Sequence, residues 1–297
     1  MRVISTFDGI SCGRVALERV GIPVERYVAY EINPYAIKVS KKNYPQIEHC
    51  GDVTTADFTQ YQGFDLLIGG SPCQDLSVAK IDGKGLSGSK SSLFFQYVRA
   101  LQECKPKYFL LENVASMKNT DRDAISELLG VQPIAINSSL VSALERNRYY
   151  WTNIPGVVPP EDKHIYFSDV MESNVEERFY FTEKTYASME KIMQRSNEKG
   201  FGFRSGIIEN PTSEKFKNLD ANYHKGCDGK RSMVRDLDGR LRMATPTEAE
   251  RLQTLPDGYT DGISNTQRYT CLGNGWTVDV IAHIFSFLEG GCADGQQ

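Results

Sequence analysis

Long apolar runs, paired cysteines and a strongly basic charge are all missing from this sequence, and each absence excludes a class of protein. No stretch approaches the roughly 18 consecutive apolar residues that a membrane span needs. The opening residues, MRVISTFDGISCG, show no basic leader followed by an apolar run and a cleavage site. An intracellular, cytoplasmic protein without a membrane partner is therefore expected.

The cysteines are few and scattered, at positions 12, 50, 73, 104, 227, 271 and 292, and none forms a CxxC pair. This spacing predicts neither a disulfide framework nor a zinc site, so no metal is expected.

The net charge of -4 argues superficially against a polyanionic partner, but the charge is unevenly distributed. Residues 184–242 carry 13 basic and 8 acidic side chains, whereas residues 243–297 carry 2 and 7. The first of these segments has a balance typical of nucleic-acid binding. A solvated charged surface would explain so small an excess equally well.

Strands and helices alternate over the first half of the chain. RVISTFDG and SCGRVALERVG form a strand-turn-helix unit, and strand-like runs recur at YVAYEI, FDLLIGGSP and KYFLLENV. Helical patterns at PYAIKVSKKNY and SLFFQYVRALQEC separate them. This alternation predicts an α/β fold with a parallel, doubly wound sheet that binds ligands at the carboxyl ends of its strands.

The pattern changes after IPGVVPP, where a polar stretch predicts a small, irregular or β-rich domain. Helical signals return at TPTEAERLQTL, with Thr245 as N-cap, Pro246 at the first helical position and Glu248 completing a capping box. We therefore expect a first domain over 1–160, a second domain over 161–242, and a return to the first domain over 243–297.

Three spaced features indicate a nucleoside cofactor. Gly9 and Gly13 lie between a strand and a helix, where the backbone can approach a ligand closely. Glu31 follows the second strand, as a ribose-binding carboxylate would, and Asp52 is placed to bind an adenine amino group. A tight turn alone would also explain the two glycines.

Cys73, in GGSPCQDLS, carries the strongest local signal. It follows a buried strand, a Gly-Gly turn and Pro72, so its thiol is expected to project from the ligand-binding edge of the sheet. An isolated cysteine is usually a small buried hydrophobe, and a nucleophilic one needs activation by its site or its substrate.

Taken together, these motifs resemble the DNA cytosine-5 methyltransferase family, in the branch that also includes the mammalian de novo enzymes. FDGISCG looks like its first cofactor motif, and SPCQ like its nucleophile motif. The remaining matches follow in family order: LLENV, the two-arginine segment ALERNRYYW, TPTEAERLQTLPDGYT and LGNGWTVDVIAHIF. Only residues from about 155 to 240 are unmatched.

The resemblance implies a Rossmann-like fold of the class I methyltransferases, with S-adenosyl-L-methionine as methyl donor and S-adenosyl-L-homocysteine as product. It implies covalent catalysis by Cys73, with Glu112, Arg146 and Arg148 supporting the reaction. Arg146 and Arg148 are two residues apart, so on a strand both side chains would point to the same face. The cofactor contacts implied are Phe7, Asp8, Gly9, Ile10, Ser11, Cys12, Glu31, Ile32, Asp52, Val53, Pro72, Asn274 and Trp276.

The partner implied is double-stranded DNA, from which the target cytosine must be flipped out. The variable segment at 161–242 corresponds to a target recognition domain. Expected DNA contacts are Gln74, Ser77 and Ser87 in a glycine-rich lid at 74–92, and the basic residues Lys199, Arg204, Lys225, Lys230 and Arg231. A bacterial or phage enzyme is expected, with a monomer as the default and a partner restriction endonuclease left open.

The sequence departs from the family pattern at Ser11 and Cys12, where many members carry glycine or an aromatic residue, and at RLQTLP in place of RLQGFP. A transfer-RNA cytosine-5 methyltransferase and a non-catalytic DNA-binding relative remain alternatives. The RNA branch usually carries a Cys-Phe-Thr element that is missing here, and a regulatory relative would be expected to lose Cys73 or Glu112. A glycine-rich dehydrogenase would not explain SPCQ.

Overall fold

The structure is a computed structural model that describes residues 1–71, 93–198, 206–217, 219–225, 232–236 and 238–288. The chain divides into two compact units. The first contains Met1–Ile136, Asn147–Pro160 and Val280–Gln297, and the second contains Asn137–Arg146 and Glu161–Asp279. The chain passes from the first unit to the second after Pro160 and returns to the first at Val280.

A seven-stranded sheet forms the centre of the first unit, in the order β3-β2-β1-β4-β5-β7-β6. Its strands are β1 (Arg2–Thr6), β2 (Arg26–Tyr30), β3 (Glu48–Gly51), β4 (Leu66–Gly70), β5 (Tyr108–Val114), β6 (Ile134–Asn137) and β7 (Asn147–Thr152). The pairs β1–β2, β1–β4, β2–β3 and β4–β5 are parallel. This is the Rossmann-like architecture that the strand-helix alternation predicts.

Strand β7 runs antiparallel to its neighbour β5, which the sequence had not indicated. It lies between β5 and β6. The segment that connects β6 to β7, residues 138–146, is shorter than the dozen or more residues that a parallel crossover requires. The predicted doubly wound, Rossmann-like fold is confirmed, with a mostly parallel sheet that is mixed at β7.

Central strands of the sheet are buried, as expected for parallel strands covered on both faces. The first four residues of β4 and the first six of β5 are buried. On one face, Phe94, Tyr97 and Val98 of helix α3 (Leu93–Cys104) join a core cluster with Leu67. Packing at β4 is so close that a Cβ on Gly69 would collide with the Thr6 hydroxyl and the Tyr97 ring.

The predicted helical pattern at PYAIKVSKKNY coincides with a helix. Helix α2 starts at Pro34, and the side chain of its N-cap Asn33 accepts hydrogen bonds from the backbone N–H groups of Tyr35 and Ala36. Besides α3, the helices within the described residues are α1 (Cys12–Arg19), α2 (Pro34–Asn43), α4 (Asn119–Leu129), α5 (Glu183–Glu198), α6 (Pro246–Leu252), α7 (Asn265–Asn274) and α8 (Val278–Phe285). Helices α4, α5 and α7 were not predicted.

The second unit contains a small three-stranded sheet of β8 (Ile207–Ile208), β9 (Met233–Arg235) and β10 (Leu241–Arg242), in the order β10-β9-β8. This agrees with the small, irregular domain predicted for the polar stretch. The capping box at α6 is also confirmed: Thr245 accepts from the Glu248 N–H at 3.1 Å, and the Thr245 N–H donates to the Glu248 carboxylate at 2.8 Å.

A buried arginine holds the second unit together. The Arg242 side chain is fully buried, and its guanidinium donates to both carboxylate oxygens of Glu248, at 2.7 and 2.8 Å. Its Nε donates to Asp236 at 2.9 Å. Since Glu248 is also part of the capping box, Arg242 joins strand β10 to helix α6.

No helix within the described ranges is long and apolar enough to cross a membrane.

Substituting Arg242 should destabilise the second unit strongly. Arg242→Ala leaves Glu248 and Asp236 without their cation in a buried place, at a cost of about 3–5 kcal/mol. Urea unfolding followed by circular dichroism measures this change. Arg178→Ala is the matched control, because Arg178 pairs with Glu176 while 61% of its side chain is exposed, and it should cause a much smaller change. Equal losses for the two variants would contradict this role of Arg242.

Candidate active site

Four strands of the first unit end at one edge of the sheet, and the candidate site residues follow these ends. The register pairs Thr6 with both Tyr30 and Gly69, and it pairs Gly70 with Glu112. The turn after β1, Glu31 after β2 and Glu112 near the end of β5 therefore share an edge. In doubly wound sheets this is where ligands bind.

The turn after β1 has an unusual backbone. Phe7 has φ 60°, Gly9 has φ 59° and Ser11 has φ 64°. Only glycine adopts such values without strain, so the conformations of Phe7 and Ser11 each cost free energy that the surrounding structure must offset. Strained backbone of this kind is concentrated at ligand sites.

Glu31 holds this turn and its own neighbours through backbone hydrogen bonds. One carboxylate oxygen accepts the N–H of Gly9 at 2.8 Å. The other accepts the N–H groups of Ile32 at 2.9 Å and Asn33 at 2.8 Å. The carboxylate is thereby fixed in orientation next to the glycine of the turn, as binding of ribose hydroxyls would require.

The residues around Glu31 offer an apolar surface and a second carboxylate. The Ile32 side chain is 73% exposed, which is unusual for a large aliphatic residue. Asp52 is exposed, caps a short 3-10 helix and accepts the Thr54 N–H at 2.8 Å, while Val53 is buried. The side chains of Ile10 and Cys12 are also buried, in the interior of the first unit.

Asp8 is buried directly beneath the turn. Its carboxylate accepts hydrogen bonds from the hydroxyls of Tyr27, at 2.8 Å, and Ser11, at 2.5 Å. The Ser11 hydroxyl lies 2.6 Å from that of Ser40, which lies 3.1 Å from Nε2 of His49. A chain of polar side chains thus runs from the turn to the edge strand β3.

Burial raises the pKa of Asp8 from 3.8 to about 6. The hydroxyls of Ser11, Ser5 and Tyr27 act in the opposite direction, because they favour the ionised carboxylate, and the nearby Glu31 adds a further small increase.

Glu112 and Arg148 form an ion pair at the end of β5. Glu112 is opposite Tyr150 in the antiparallel ladder, and Arg148 is two residues before Tyr150, so the two side chains lie on one face as a diagonal pair. Arg148 Nε is 2.8 Å from Glu112 Oε1, and both side chains are mostly buried. The Nε–H group of Arg148 does not make a hydrogen bond, so the contact with Glu112 is electrostatic. It fixes where the carboxylate lies.

Asn113 fixes the chain just before the predicted nucleophile segment. Its side-chain amide donates to the backbone oxygen of Ser71 at 3.1 Å and to the Ser71 hydroxyl at 3.2 Å. Ser71 follows β4 and is buried. The motif LLENV therefore contributes a carboxylate and also a tether for β4, and the second role was not predicted.

Arg146 lies elsewhere than the sequence had indicated. β7 begins at Asn147, so the alternation that would set Arg146 and Arg148 on one face does not extend to Arg146. Arg146 belongs to the second unit, where its guanidinium donates to the backbone oxygens of Leu219, Gly273 and Gly275 at 3.0–3.3 Å.

Several of the predicted site residues are not among the described residues. The nucleophile Cys73 lies outside the described residues, as do Pro72, Gln74, Ser77, Ser87, Lys199, Arg204, Lys230 and Arg231. Lys225 is exposed at the end of a 3-10 helix, Tyr223–Lys225. Asn274 is exposed and Trp276 half-buried, and both belong to the second unit.

Tyr27, Ser40 and His49 were not singled out from the sequence. No local motif marks them, because Tyr27 and Ser40 contact the Asp8 turn from 19 and 29 positions away in the chain. His49 joins the turn only through Ser40. No group of three His, Cys, Asp or Glu that could hold a metal ion occurs within the part of the chain that the structure describes.

A doubly wound sheet with a turn and an acidic residue at its ligand edge is typical of nucleoside-binding proteins with a Rossmann-like fold. The profile of the family described as "C-5 cytosine-specific DNA methylase" matches residues 1–129 and 144–289. The chain belongs to this family, as the motifs predict. Its general chemistry is methylation of cytosine in DNA through a covalent cysteine adduct, with S-adenosylmethionine as methyl donor.

The relatives agree with this assignment. The chain is 30% identical to the type II methyltransferase M1.ScrFI of Lactococcus lactis subsp. cremoris, over 95% of the chain and 76% of that protein. It is 27% identical to the type II methyltransferase M.NlaX of Neisseria lactamica, over 95% and 94%. A crystal structure of a DNMT2 mutant from Spodoptera frugiperda matches 97% of the chain and 99% of its own, with a TM-score of 0.74 and 22% identity. At that identity the likeness concerns the fold alone.

The burial of Asp8 predicts a pH-dependent stability. Because the folded pKa of about 6 exceeds the ordinary 3.8, the folded state binds more protons between these values, and stability falls as pH rises through this window. Asp8→Asn removes this dependence. Relative to wild type, its free energy of unfolding should rise by up to about 3 kcal/mol between pH 4 and pH 7.

Urea unfolding at several pH values measures the difference between the two proteins. Asp57→Asn is the control, because hydrogen bonds from Thr59 lower the pKa of Asp57. The free energy of unfolding of Asp57→Asn, relative to wild type, should fall rather than rise as the pH increases. A difference for Asp8→Asn that does not vary with pH would show that this carboxyl titrates normally.

Proposed function

We propose that this chain transfers the methyl group of S-adenosylmethionine to carbon 5 of a cytosine flipped out of duplex DNA, through a covalent adduct with Cys73. The observation that carries the proposal is the Glu112–Arg148 pair, placed at the sheet edge where Ser71 leads directly into Pro72 and Cys73. Family membership supplies the reaction class.

The chemistry explains why a thiol is needed. Carbon 5 of cytosine is a poor nucleophile in an aromatic ring. Addition of the Cys73 thiolate to carbon 6 forms a carbon–sulfur bond and moves an electron pair towards carbon 5, which can then accept a methyl group. Loss of the proton on carbon 5 to a base expels the thiolate and restores the ring. Water is a candidate for that base.

Glu112 is the group we assign to ring nitrogen 3 of the cytosine. Nitrogen 3 gains electron density as the thiolate adds, so a carboxyl that holds a proton there stabilises the adduct. Arg148 contributes by fixing the carboxyl in place, 2.8 Å from its own Nε. The depth of this pair within the first unit strengthens its electrostatic effect.

The residues at the turn after β1 fit a nucleoside cofactor. Glu31 would bind the ribose hydroxyls, the exposed side chain of Ile32 would contact the adenine ring, and Asp52 its amino group. The turn at Phe7–Cys12 would bring backbone amides close to the rest of the molecule. When bound, S-adenosylmethionine supplies an electrophilic methyl group. Asn274 and Trp276 complete the proposed set, and no metal takes part.

DNA recognition is proposed for residues 161–242, which include the exposed Lys225. Rotating a cytosine out of the duplex costs a few kcal/mol, which contacts with phosphates and base edges must offset. The glycine-rich lid expected at residues 74–92 lies outside the described residues. We propose a monomeric, cytoplasmic, nucleoid-associated modification enzyme. Pairing with a restriction endonuclease is part of the proposal because relatives are named type II methyltransferases.

A mechanism-based trap tests the nucleophile. Duplex DNA with 5-fluorodeoxycytidine in place of deoxycytidine should form a denaturation-resistant complex with the protein in the presence of S-adenosylmethionine, because fluorine on carbon 5 prevents the final elimination. Cys73→Ser should abolish both the complex and methyl transfer, as seen by gel electrophoresis and by sequencing of methylated cytosines.

Cys50→Ser is the matched control, since Cys50 is an exposed cysteine of the same unit, and it should trap like wild type. A complex that survives Cys73→Ser would refute the assigned nucleophile. Methyl transfer to transfer RNA but not to duplex DNA would overturn the proposed substrate.

Glu112→Gln tests the proposed proton-holding group. Glutamine preserves the shape but cannot hold an acidic proton, so kcat should fall by about 10²- to 10⁴-fold, while the affinity for S-adenosylhomocysteine changes little. Steady-state kinetics on unmethylated duplex DNA and calorimetric titration measure the two quantities. Glu127→Gln, at an exposed position of α4, is the control. A kcat within a few-fold of wild type for Glu112→Gln would exclude this role.

A further inference from the structure

The last turn of helix α7 and the residues after it, 272–277, are held by side chains from two other parts of the second unit. One of them is Arg146. Its Nη1 donates to the Leu219 oxygen at 3.3 Å, and its Nη2 donates to the oxygens of Gly273, at 3.2 Å, and Gly275, at 3.0 Å. A planar guanidinium can bridge several acceptors in this way, whereas an ammonium group cannot keep the same geometry.

The backbone of Arg146 is itself fixed. Its N–H donates to the side-chain oxygen of Asn137 at 2.9 Å, and its carbonyl accepts the Ser138 N–H at 3.0 Å. The guanidinium therefore extends from an anchored position.

Gln253 holds the same segment from helix α6's C-terminal end. Its side-chain amide, which is fully buried, donates to the Leu272 oxygen at 2.7 Å and the Gly275 oxygen at 3.3 Å. Its Oε1 accepts the Thr277 hydroxyl at 2.7 Å. The carbonyls of this segment are thus directed towards Arg146 and Gln253, while Asn274 is exposed.

The end of α7 is also packed directly on residues 219–223. A Cβ on Gly273 would overlap the backbone of Asp220 and Ala221. The Thr270 hydroxyl shares its proton between the Ala221 oxygen, at 3.1 Å, and the Thr266 oxygen of its own helix, at 3.0 Å. The rings of Tyr223 and Tyr269 meet edge to face with centroids 5.2 Å apart. These contacts leave little freedom between the two segments.

We infer that Arg146 is a positioning residue, which fastens the 272–277 segment to residues 219–221 and so sets the positions of Asn274 and Trp276. The inference rests on the proposed cofactor role of those two residues. Residues 219–225 belong to the proposed recognition segment and end at the exposed Lys225. Arg146 thereby links the part of the chain assigned to DNA with the part assigned to the cofactor.

This role differs measurably from a catalytic one. If Arg146 acts by position, its loss raises the KM for S-adenosylmethionine and the Kd for S-adenosylhomocysteine, because the segment no longer holds its binding conformation. If it touches the reacting groups, its loss lowers kcat and leaves both constants nearly unchanged.

Trp276 reports on the segment directly. The chain has two tryptophans, and the other, Trp151, is fully buried in the first unit. In a Trp151→Phe parent, quenching of fluorescence by acrylamide therefore measures the exposure of Trp276 alone. The parent is first checked for methyl transfer to sheared genomic DNA that lacks cytosine methylation.

Arg146→Gln in this parent should raise the Kd for S-adenosylhomocysteine and the KM for S-adenosylmethionine at least about tenfold, a change of about 1.4 kcal/mol. Acrylamide quenching of Trp276 should increase, and kcat at saturating substrates should fall by less than about tenfold. Arg146→Lys should lie between the parent and Arg146→Gln. Arg148→Gln, by contrast, should lower kcat about 100-fold or more with a nearly unchanged Kd.

Two further variants keep the test informative if Arg146→Gln folds poorly. Thr270→Val removes the bond to Ala221 with little change of volume, and it should shift the Kd and the quenching in the same direction, by a smaller factor. Ser264→Ala removes the N-cap at the opposite end of α7, and it should leave both at the parent values.

A wild-type protein that binds no S-adenosylhomocysteine and methylates no DNA contradicts the proposed function. A parent that binds and methylates, with an Arg146→Gln variant that loses kcat about 100-fold at unchanged Kd and unchanged quenching, contradicts this inference alone. An increase in Kd for Ser264→Ala as large as that for Thr270→Val would also contradict this inference alone.

Discussion

The antiparallel pairing of β5 with β7 is the constraint on which the site depends. It sets Glu112 and Arg148 on one face of the sheet, with Arg148 Nε 2.8 Å from the carboxylate. β5 also pairs in parallel with β4, whose end leads through Ser71 towards Cys73. One strand therefore aligns the carboxylate, its cation and the entrance to the nucleophile segment, and Asn113 secures that entrance from the same strand.

Buried polar groups do the remaining positioning, and they differ in how they are compensated. Asp8 is held by hydroxyl groups alone, and its pKa is raised to about 6. Arg242 has two carboxylates, so its charge is balanced where it is buried. Arg146 is directed at backbone carbonyls. In each case a polar side chain determines the path of a loop or the contact between two elements. Apolar packing would specify that path or contact less precisely.

Much of this could be predicted from local patterns, and the failures share a cause. The capping box at Thr245–Glu248, the helix start at Pro34 and the strand-turn-helix unit around Gly9 each depend on residues a few positions apart, and each is confirmed. The direction of β7, the partners of Arg146 and the network below Asp8 depend on contacts between distant parts of the chain. The order of the motifs indicated the family. Within one motif, however, Arg148 pairs with Glu112, whereas Arg146 donates to backbone oxygens. No local pattern distinguishes them.

In the proposed reaction, the Cys73 thiol adds to the pyrimidine while Glu112 contacts ring nitrogen 3. A crystal structure of the complex trapped on 5-fluorocytosine DNA tests it most directly. The account predicts a bond between Cys73 Sγ and carbon 6, a methyl group on carbon 5, and the Glu112 carboxyl within hydrogen-bonding distance of nitrogen 3, with Arg148 still beside it. A cytosine bound to another residue, or one that lies out of reach of Glu112, would contradict it.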